Sequence, residues 1–337
     1  MRVIVDAMGG DHAPAQILKG CALAVAEYGV EITLCGCRDI IERVASEESI
    51  DLTGMSIVDA AQVVEMTDSA DSVVKEKKDS SMAVGMKLLR AGEGDAFISA
   101  GNTGAVITGA TLLVKRMKGV KRAAIGGMIP SVGGKKHLLI DSGANVECSA
   151  EYLHQFAIMG SMYMKCVYGM ESPRVGLLNN GTEETKGTDL QRQAHTLLKT
   201  EDRINYVGNI EGRDGLLGNV DVVVTDGFSG NIYLKALEGM GKMISTSLKG
   251  VLFKNLRTKL GTLLIAKEFT RFKKSVDYTE SGGAPLLGVS GIVIKAHGSS
   301  NAVSFKNAIR QATELHNANI IDKLAQMMMP VQSGENQ

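Results

Sequence analysis

Apolar residues recur along this chain in two alternating registers. Short β-branched blocks are followed by stretches in which apolar positions return every three or four residues. The first block, residues 3–5, ends at Asp6 and gives way to Gly9, Gly10, Asp11, His12 and Pro14. A helical pattern follows over residues 15–28 through Ile17, Leu18, Cys21, Ala22 and Val25. The next strand is predicted at 31–35 and the next helix at 39–46. Further strands are predicted at 56–58, 96–98, 137–140, 175–178, 205–207, 220–225 and 292–294, the last leading into a helix over 303–315. Such alternation with short turns predicts a parallel sheet covered by helices on both faces. Residues 119–136, rich in Gly and Pro, read as a loop or bent edge segment, and 330–337 as a frayed tail.

Five of the predicted strands end in polar, glycine-rich turns, at 6–12, 99–104, 141–145, 179–183 and 226–231. In open α/β sheets ligands lie beyond the carboxyl ends of the strands, so turns of one chemistry there read as walls of a single site. The turn Ser99-Ala100-Gly101-Asn102-Thr103-Gly104 is the centre of this reading. An apolar strand stops at Ser99, and a helical pattern begins at Val106 with Ser99, Asn102 or Thr103 available as N-cap. A glycine-rich turn opening a helix turns free N–H groups and the positive end of the helix dipole toward an anion. Ser99, Gly101, Asn102, Thr103 and Gly104 are therefore candidate phosphate ligands. An ordinary strand–helix connection would use the same residues for turn geometry alone.

Other polar residues at turns carry candidate chemistry. His12 stands where a base or phosphate ligand could sit, or simply leads into a helix. Lys186, beside Glu183 and Glu184, could neutralise a phosphate or an oxyanion, or be a solvated surface lysine. Asp226, Ser229 and Asn231 place a carboxylate, a hydroxyl and an amide on one turn after an apolar strand. His297, in Lys295-Ala296-His297-Gly298-Ser299-Ser300, adds a titratable group at a second strand–turn–helix junction. His154, His195 and His316 lie inside helical patterns with no partner constellation.

Composition narrows the chemistry. The chain has 337 residues, no net charge and no Trp, and its five Cys are scattered. A reduced, cytoplasmic chain follows from the cysteines, from an N-terminus that enters a strand directly, and from the lack of an apolar run long enough to span a bilayer. Neither global charge nor aromatic content points to nucleic acid. G-x-G-x-x-G, a true P-loop, G-x-S-x-G and H-E-x-x-H are all missing, which disfavours nucleotide, serine-hydrolase and zinc chemistry and predicts no metal or other cofactor. Charge is uneven, however. Residues 242–274 hold nine Lys/Arg and one acid, Glu268, a local excess of +8. Leu248, Leu252, Leu256, Leu260 and Leu264 recur there every four residues. A basic amphipathic stretch of this kind lies on an anionic membrane or grips an acidic partner, with Lys249, Lys254, Leu256, Arg257, Lys259 and Leu260 as candidate contacts. The alternative is a solvated helix whose leucines face the core or a dimer interface.

Six motifs taken together carry a family resemblance. They are residues 5–14, 98–105 and 141–145, residues 173–179 with 181–184, residues 224–231, and residues 295–300. In this order they resemble the bacterial fatty acyl-ACP:phosphate acyltransferases over about residues 1–320. The resemblance implies attack of inorganic phosphate on the thioester of a long-chain acyl-ACP, giving acyl phosphate for a membrane glycerol-3-phosphate acyltransferase of phospholipid synthesis. It implies an α/β/α sandwich like that of the isocitrate/isopropylmalate dehydrogenases and phosphotransacetylases, assembled as a homodimer. The cleft would lie between a domain of residues 1–150 plus 285–337 and a central domain of 151–284. A cytoplasmic protein peripherally attached to the membrane would fit the basic stretch. One segment departs from the family pattern: Thr67-Asp68-Ser69-Ala70 stands where relatives commonly read Thr-Asp-Glu-Pro.

Overall fold

A computed structural model describes residues 1–269 and 282–329. Eleven strands form one sheet in the order β3-β2-β1-β4-β11-β10-β5-β6-β9-β7-β8. These are β1 (Arg2–Asp6), β2 (Glu31–Gly36), β3 (Met55–Asp59), β4 (Ala96–Ser99), β5 (Ala124–Pro130), β6 (Lys136–Ile140), β7 (Arg174–Leu178), β8 (Asn205–Ile210), β9 (Val222–Val224), β10 (Gly283–Leu287) and β11 (Ile292–Ala296). The sheet is mostly parallel and its faces are covered by helices, as the alternation of patterns requires. On one face lie α1 (Ala15–Tyr28), α5 (Ala150–Tyr168) and α10 (Ala302–Asn317), burying Val3, Val5, Ile98 and Ile294 beneath them. On the other, α3 (Ser81–Ala91) and α4 (Thr103–Gly109) cover Ile4, Phe97 and Val293. Successive strand residues alternate between these two cores, as the period-two geometry of a strand demands.

The segment 119–136, expected to be a loop or bent edge, is corrected. Its middle is β5, an interior strand paired antiparallel to β10 and to β6. Ala124, Ile125, Met128 and Ile129 are buried on it, so burial between two neighbours overrides the local preference of Gly126 and Gly127 for turns. Pro130 is tolerated because it ends the strand. Strand β10, which starts with Gly283 and contains Pro285, has no distinct signal in the sequence either.

These two antiparallel strands have a consequence for the site. β1, β4 and β11 run parallel to one another, whereas β6, β9 and β7 run parallel to one another in the opposite sense. The polar turns therefore leave the sheet by two different edges. Those at 6–12, 99–104 and 295–301 share one edge; those at 141–145, 179–183 and 226–231 share the other. Helix α8 (Gly227–Leu252) starts at the second edge and runs for 26 residues.

Candidate active site

At the first edge, Asp6 and Ser99 end β1 and β4 and Lys295 is the penultimate residue of β11, three adjacent parallel strands with these side chains on one face. Lys295 is the register partner of Ser99, and Asp6 lies one step beyond the pair Val5–Ile98. The buried Asp6 carboxylate accepts from Ser99 Oγ at 2.7 Å and from Ser81 Oγ, on α3, at 2.6 Å. Burial raises its pKa, opposed by those two hydroxyls. Ser99 Oγ in turn accepts from the Gly101 N–H at 3.0 Å. A Cβ on Gly9 would lie 2.5 Å from Asp6 Oδ2 and 2.8 Å from the Gly101 nitrogen, so only glycine lets the two turns close on each other. The third turn joins them through the Asp11 N–H, which donates to the Gly298 carbonyl at 2.8 Å.

Asn102 is the N-cap of α4: its Oδ1 accepts from the Ala105 N–H at 3.1 Å. Its Nδ2 donates to the carbonyls of Met66 at 3.1 Å and Asp68 at 3.0 Å. The amide side chain is thus committed at both ends, and it ties the segment around Asp68 over the turn. Asp68 caps the Glu65 N–H and pairs with Lys77. Ala70 packs against Gly104, where a Cβ would come within 2.9 Å of its methyl. The segment that departs from the family pattern is therefore the roof of the candidate phosphate turn. Among the described residues, the N–H groups of Asn102, Thr103 and Gly104 donate to no protein acceptor. They are the unfilled donors of a helix start, and Thr103 is exposed.

At the second edge, the buried Asp141 carboxylate gathers the N–H groups of Ile125, Gly143, Ala144 and Asn145 and the Asn145 amide. Asp226 caps α8 by accepting from the Ser229 N–H at 2.8 Å. Asn231 Nδ2 donates to the Ser142 carbonyl at 3.3 Å, joining the 226–231 turn to the 141–145 turn. Lys186 is exposed on the loop before α6 (Asp189–Lys199), and Asn209 holds that loop through the Glu183 carbonyl at 2.9 Å. No contact joins Lys186, Ser229 or Asn231 to Ser99 or Asn102 among the described residues; the candidates form two clusters rather than one. Cys148 sits beside Asp141 with its thiol pushed up to about 12, mainly by burial, and is a poor nucleophile.

Helix α8 spans the two clusters. Lys235, eight residues beyond Gly227 and hence ~12 Å along the axis, acts electrostatically on both Lys295 and His297, and Glu238 on His297. His297 is largely exposed, and its pKa is lowered by partial desolvation first and by Lys235 second. The Ser299 N–H donates to His297 Nδ1 at 3.2 Å and Ser299 Oγ lies 2.8 Å from the same atom, which leaves the ring proton on Nε2. His12 is exposed, and only its carbonyl is engaged, by Gln16. Lys295, Asp6 and Lys235 were not among the residues singled out from the sequence. The one available signal was a lysine interrupting the apolar run 292–296.

The basic stretch forms the distal part of α8 and a second helix, α9 (Leu256–Leu264), with Asn255 as N-cap between them. The break at 253–255 divides the leucine repeat between two helices. Thr262 folds α9 back by donating to the Leu252 carbonyl at 3.1 Å. Lys249, Lys254, Leu256, Arg257, Lys259 and Leu260 are all exposed, Leu256 at 74% and Leu264 at 89%. Arg271, Lys273 and Lys274 lie outside the described residues. No described helix is long and apolar enough to cross a membrane.

Comparison with known proteins places this architecture. A family model described as "Fatty acid synthesis protein" matches residues 1–323. A phosphate acyltransferase of Acetivibrio thermocellus is 47% identical over 327 residues, 97% of this chain and 96% of that protein. One from Geotalea daltonii is 44% identical, over 96% of this chain and 94% of its own length. Among solved structures, a phosphotransacetylase from Streptococcus pyogenes superposes with a TM-score of 0.60 at 15% identity, covering 97% of this chain and 94% of that one. The EutD phosphotransacetylase from Staphylococcus aureus gives 0.59 at 17% identity, with 94% of each chain covered. At those identities the structures show a shared fold; the closer sequence matches show more. This chain belongs to the fatty acid synthesis protein family, among relatives named phosphate acyltransferase.

Proposed function

We propose that this protein is a phosphate acyltransferase that moves a long-chain acyl group reversibly from acyl-ACP to inorganic phosphate. The observation that carries the reading is the row of open N–H groups at Asn102, Thr103 and Gly104, roofed by residues 65–70 and braced from below by Asp6. A phosphate there needs orientation more than activation, because it is already an oxyanion. One phosphate oxygen attacks the thioester carbon; a C–O bond forms, the C–S bond breaks, and the thiolate leaves to take up a proton. Ser99 and Asn102 serve this site by shaping it, since their side chains are engaged elsewhere, and Gly101 by its turn.

Asn231, Ser229 or Lys186 stabilises the tetrahedral oxyanion, with Asp226 holding the turn that carries the first two. Loss of one such donor typically lowers turnover ~10²–10³-fold. His297 or His12 handles the proton. On this reading the residues of the two edges meet across a cleft between residues 1–150 with 285–337 and residues 151–284, and the protein works as a homodimer without a cofactor. The exposed α8–α9 arm contacts acidic ACP and the anionic membrane surface, keeping acyl phosphate near a membrane glycerol-3-phosphate acyltransferase.

Thiol release from palmitoyl-ACP, with and without phosphate and beside acetyl-CoA, tests this. Release that requires both phosphate and the ACP thioester is the expected result. The fold of the phosphotransacetylases favours a second reading, a short-chain enzyme using acyl-CoA. Phosphate-dependent release from acetyl-CoA alone would establish that one instead.

A further inference from the structure

We propose that Lys295 supplies the half-buried positive charge of the phosphate site, held one strand away from the Ser99–Gly104 turn and tied to it through the Ala100 carbonyl. The assignment rests on the reading of that turn as the phosphate site. Lys295 occupies a strand whose other members, Ile292, Val293, Ile294 and Ala296, are buried. A lysine in such a strand is disfavoured unless its ammonium is compensated. The compensation here is incomplete. Nζ donates to the Ala296 carbonyl and, at 3.4 Å, to the Ala100 carbonyl. Among the described residues no carboxylate forms an ion pair with it: Asp6 is engaged by Ser81 and Ser99, and Asp11 acts only from a distance. Asp11 and Asp6 act on it electrostatically, and a second cation, Lys235 of α8, opposes them more weakly.

A half-buried ammonium, in no ion pair among the described residues and beside a turn with open N–H groups, has room for an anion as partner. A phosphate on the turn would provide it. The carbonyl of Ala100 also links the charge mechanically to the turn, so the same lysine that attracts phosphate fixes the backbone that binds it. Lys295 acts on the substrate's position and charge rather than on its proton. Its electrostatic state is consistent with this: burial pushes its pKa down to about 8, against the opposing pull of Asp11 and Asp6 and with the added push of Lys235. His297, at the same end with Lys235, Glu238 and Asp11 acting on it, is lowered from its usual pKa.

The test is calorimetric binding of inorganic phosphate by the full chain, measured from about pH 7.5 to about pH 9.5, where phosphate itself is chiefly the dianion. Wild-type affinity should fall about tenfold through pH 8 as the ammonium deprotonates, the scale of one lost charge-assisted contact. Lys295→Met should bind about tenfold or more weakly at the low end and show no step. Lys295→Arg keeps its charge and should show no step near pH 8, which decides the matter if the methionine variant does not fold. A wild-type profile without the step, an arginine variant that keeps it, or a folded methionine variant binding phosphate as wild type does, overturns the assignment. Wild-type protein that binds no phosphate and releases thiol without it overturns the functional reading itself, and this assignment with it.

Discussion

Around Asp6, each side chain that shapes the turn is spent on another part of the chain, whereas on the α8–α9 arm almost none is. Asp6, Ser81, Ser99 and Asn102 close a network that leaves only backbone N–H groups facing outward. On the arm, Lys249, Lys254, Arg257 and Lys259 stand in solvent, and Leu256, Leu260 and Leu264 are exposed beside them. Apolar side chains exposed in such number mark a surface that meets something else. The first region is complete as a scaffold and unfinished only where a small anion would bind. The second is unfinished along its length. The contrast teaches that substitutions in the first should change stability and chemistry together, while those in the second should change association alone.

The largest break is expected from Asp6→Ala. It strands the hydroxyls of Ser81 and Ser99 in the core, a loss of roughly 2–4 kcal/mol, and frees the Gly101 turn. Urea denaturation should show the loss, and phosphate-dependent turnover should disappear with it. Next comes reversal of Lys254, Arg257 and Lys259 to Glu. Each lysine or arginine near an anionic bilayer contributes about 1 kcal/mol, so cosedimentation with phosphatidylglycerol vesicles, or use of acyl-ACP, should fall by about a hundredfold or more. Urea stability should stay within about 0.5 kcal/mol of wild type, as for exposed positions generally. A stability loss as large as that of Asp6→Ala would erase the distinction between the two regions.

Asn102→Ala should lie between them. Losing an N-cap costs about 1 kcal/mol, and releasing the Met66 and Asp68 carbonyls loosens the roof. The phosphate KM should rise several-fold while the melting transition remains cooperative; unchanged kinetics would mean that the turn serves structure alone. The smallest effect concerns Lys295. Its pKa of about 8 in the fold lies below the 10.5 of an ordinary lysine. Between those two values the unfolded chain keeps a proton that the fold releases, so stability rises with pH across that window. Lys295→Met should remove that rise in urea midpoints taken from about pH 8 to about pH 10.5, a direct sign that the residue is kept at the expense of stability.

Much of the scaffold is legible in the sequence because it depends on local periodicity. The strands at 3–5, 31–35 and 96–98 and the helix Ala15–Tyr28 announce themselves by alternation or by a three-to-four repeat. β5 does not, because its stability comes from pairing with β6 and with β10, the latter far away along the chain, and its glycines favour turns when read alone. The same missing strands hide the antiparallel relation between the two halves, which sends six polar turns to two edges. That turn 99–104 opens a helix capped by Asn102 is legible from residue type. The commitment of the Asn102 amide to residues 66 and 68 is not, since it follows from tertiary approach. Lys295 stands out only once its neighbours are known to be buried. A four-residue leucine repeat likewise cannot show that Asn255 starts a second helix partway along it.

The most direct test of the phosphate site is the response of individual amides to inorganic phosphate. Backbone amide NMR on perdeuterated protein, titrated with phosphate and with chloride as control, reads each N–H separately. Saturable shifts centred on Asn102, Thr103 and Gly104, with the α8–α9 arm unmoved, are the predicted result. Shifts confined to residues 141–145 or 181–187, or none beyond those of chloride, would contradict it.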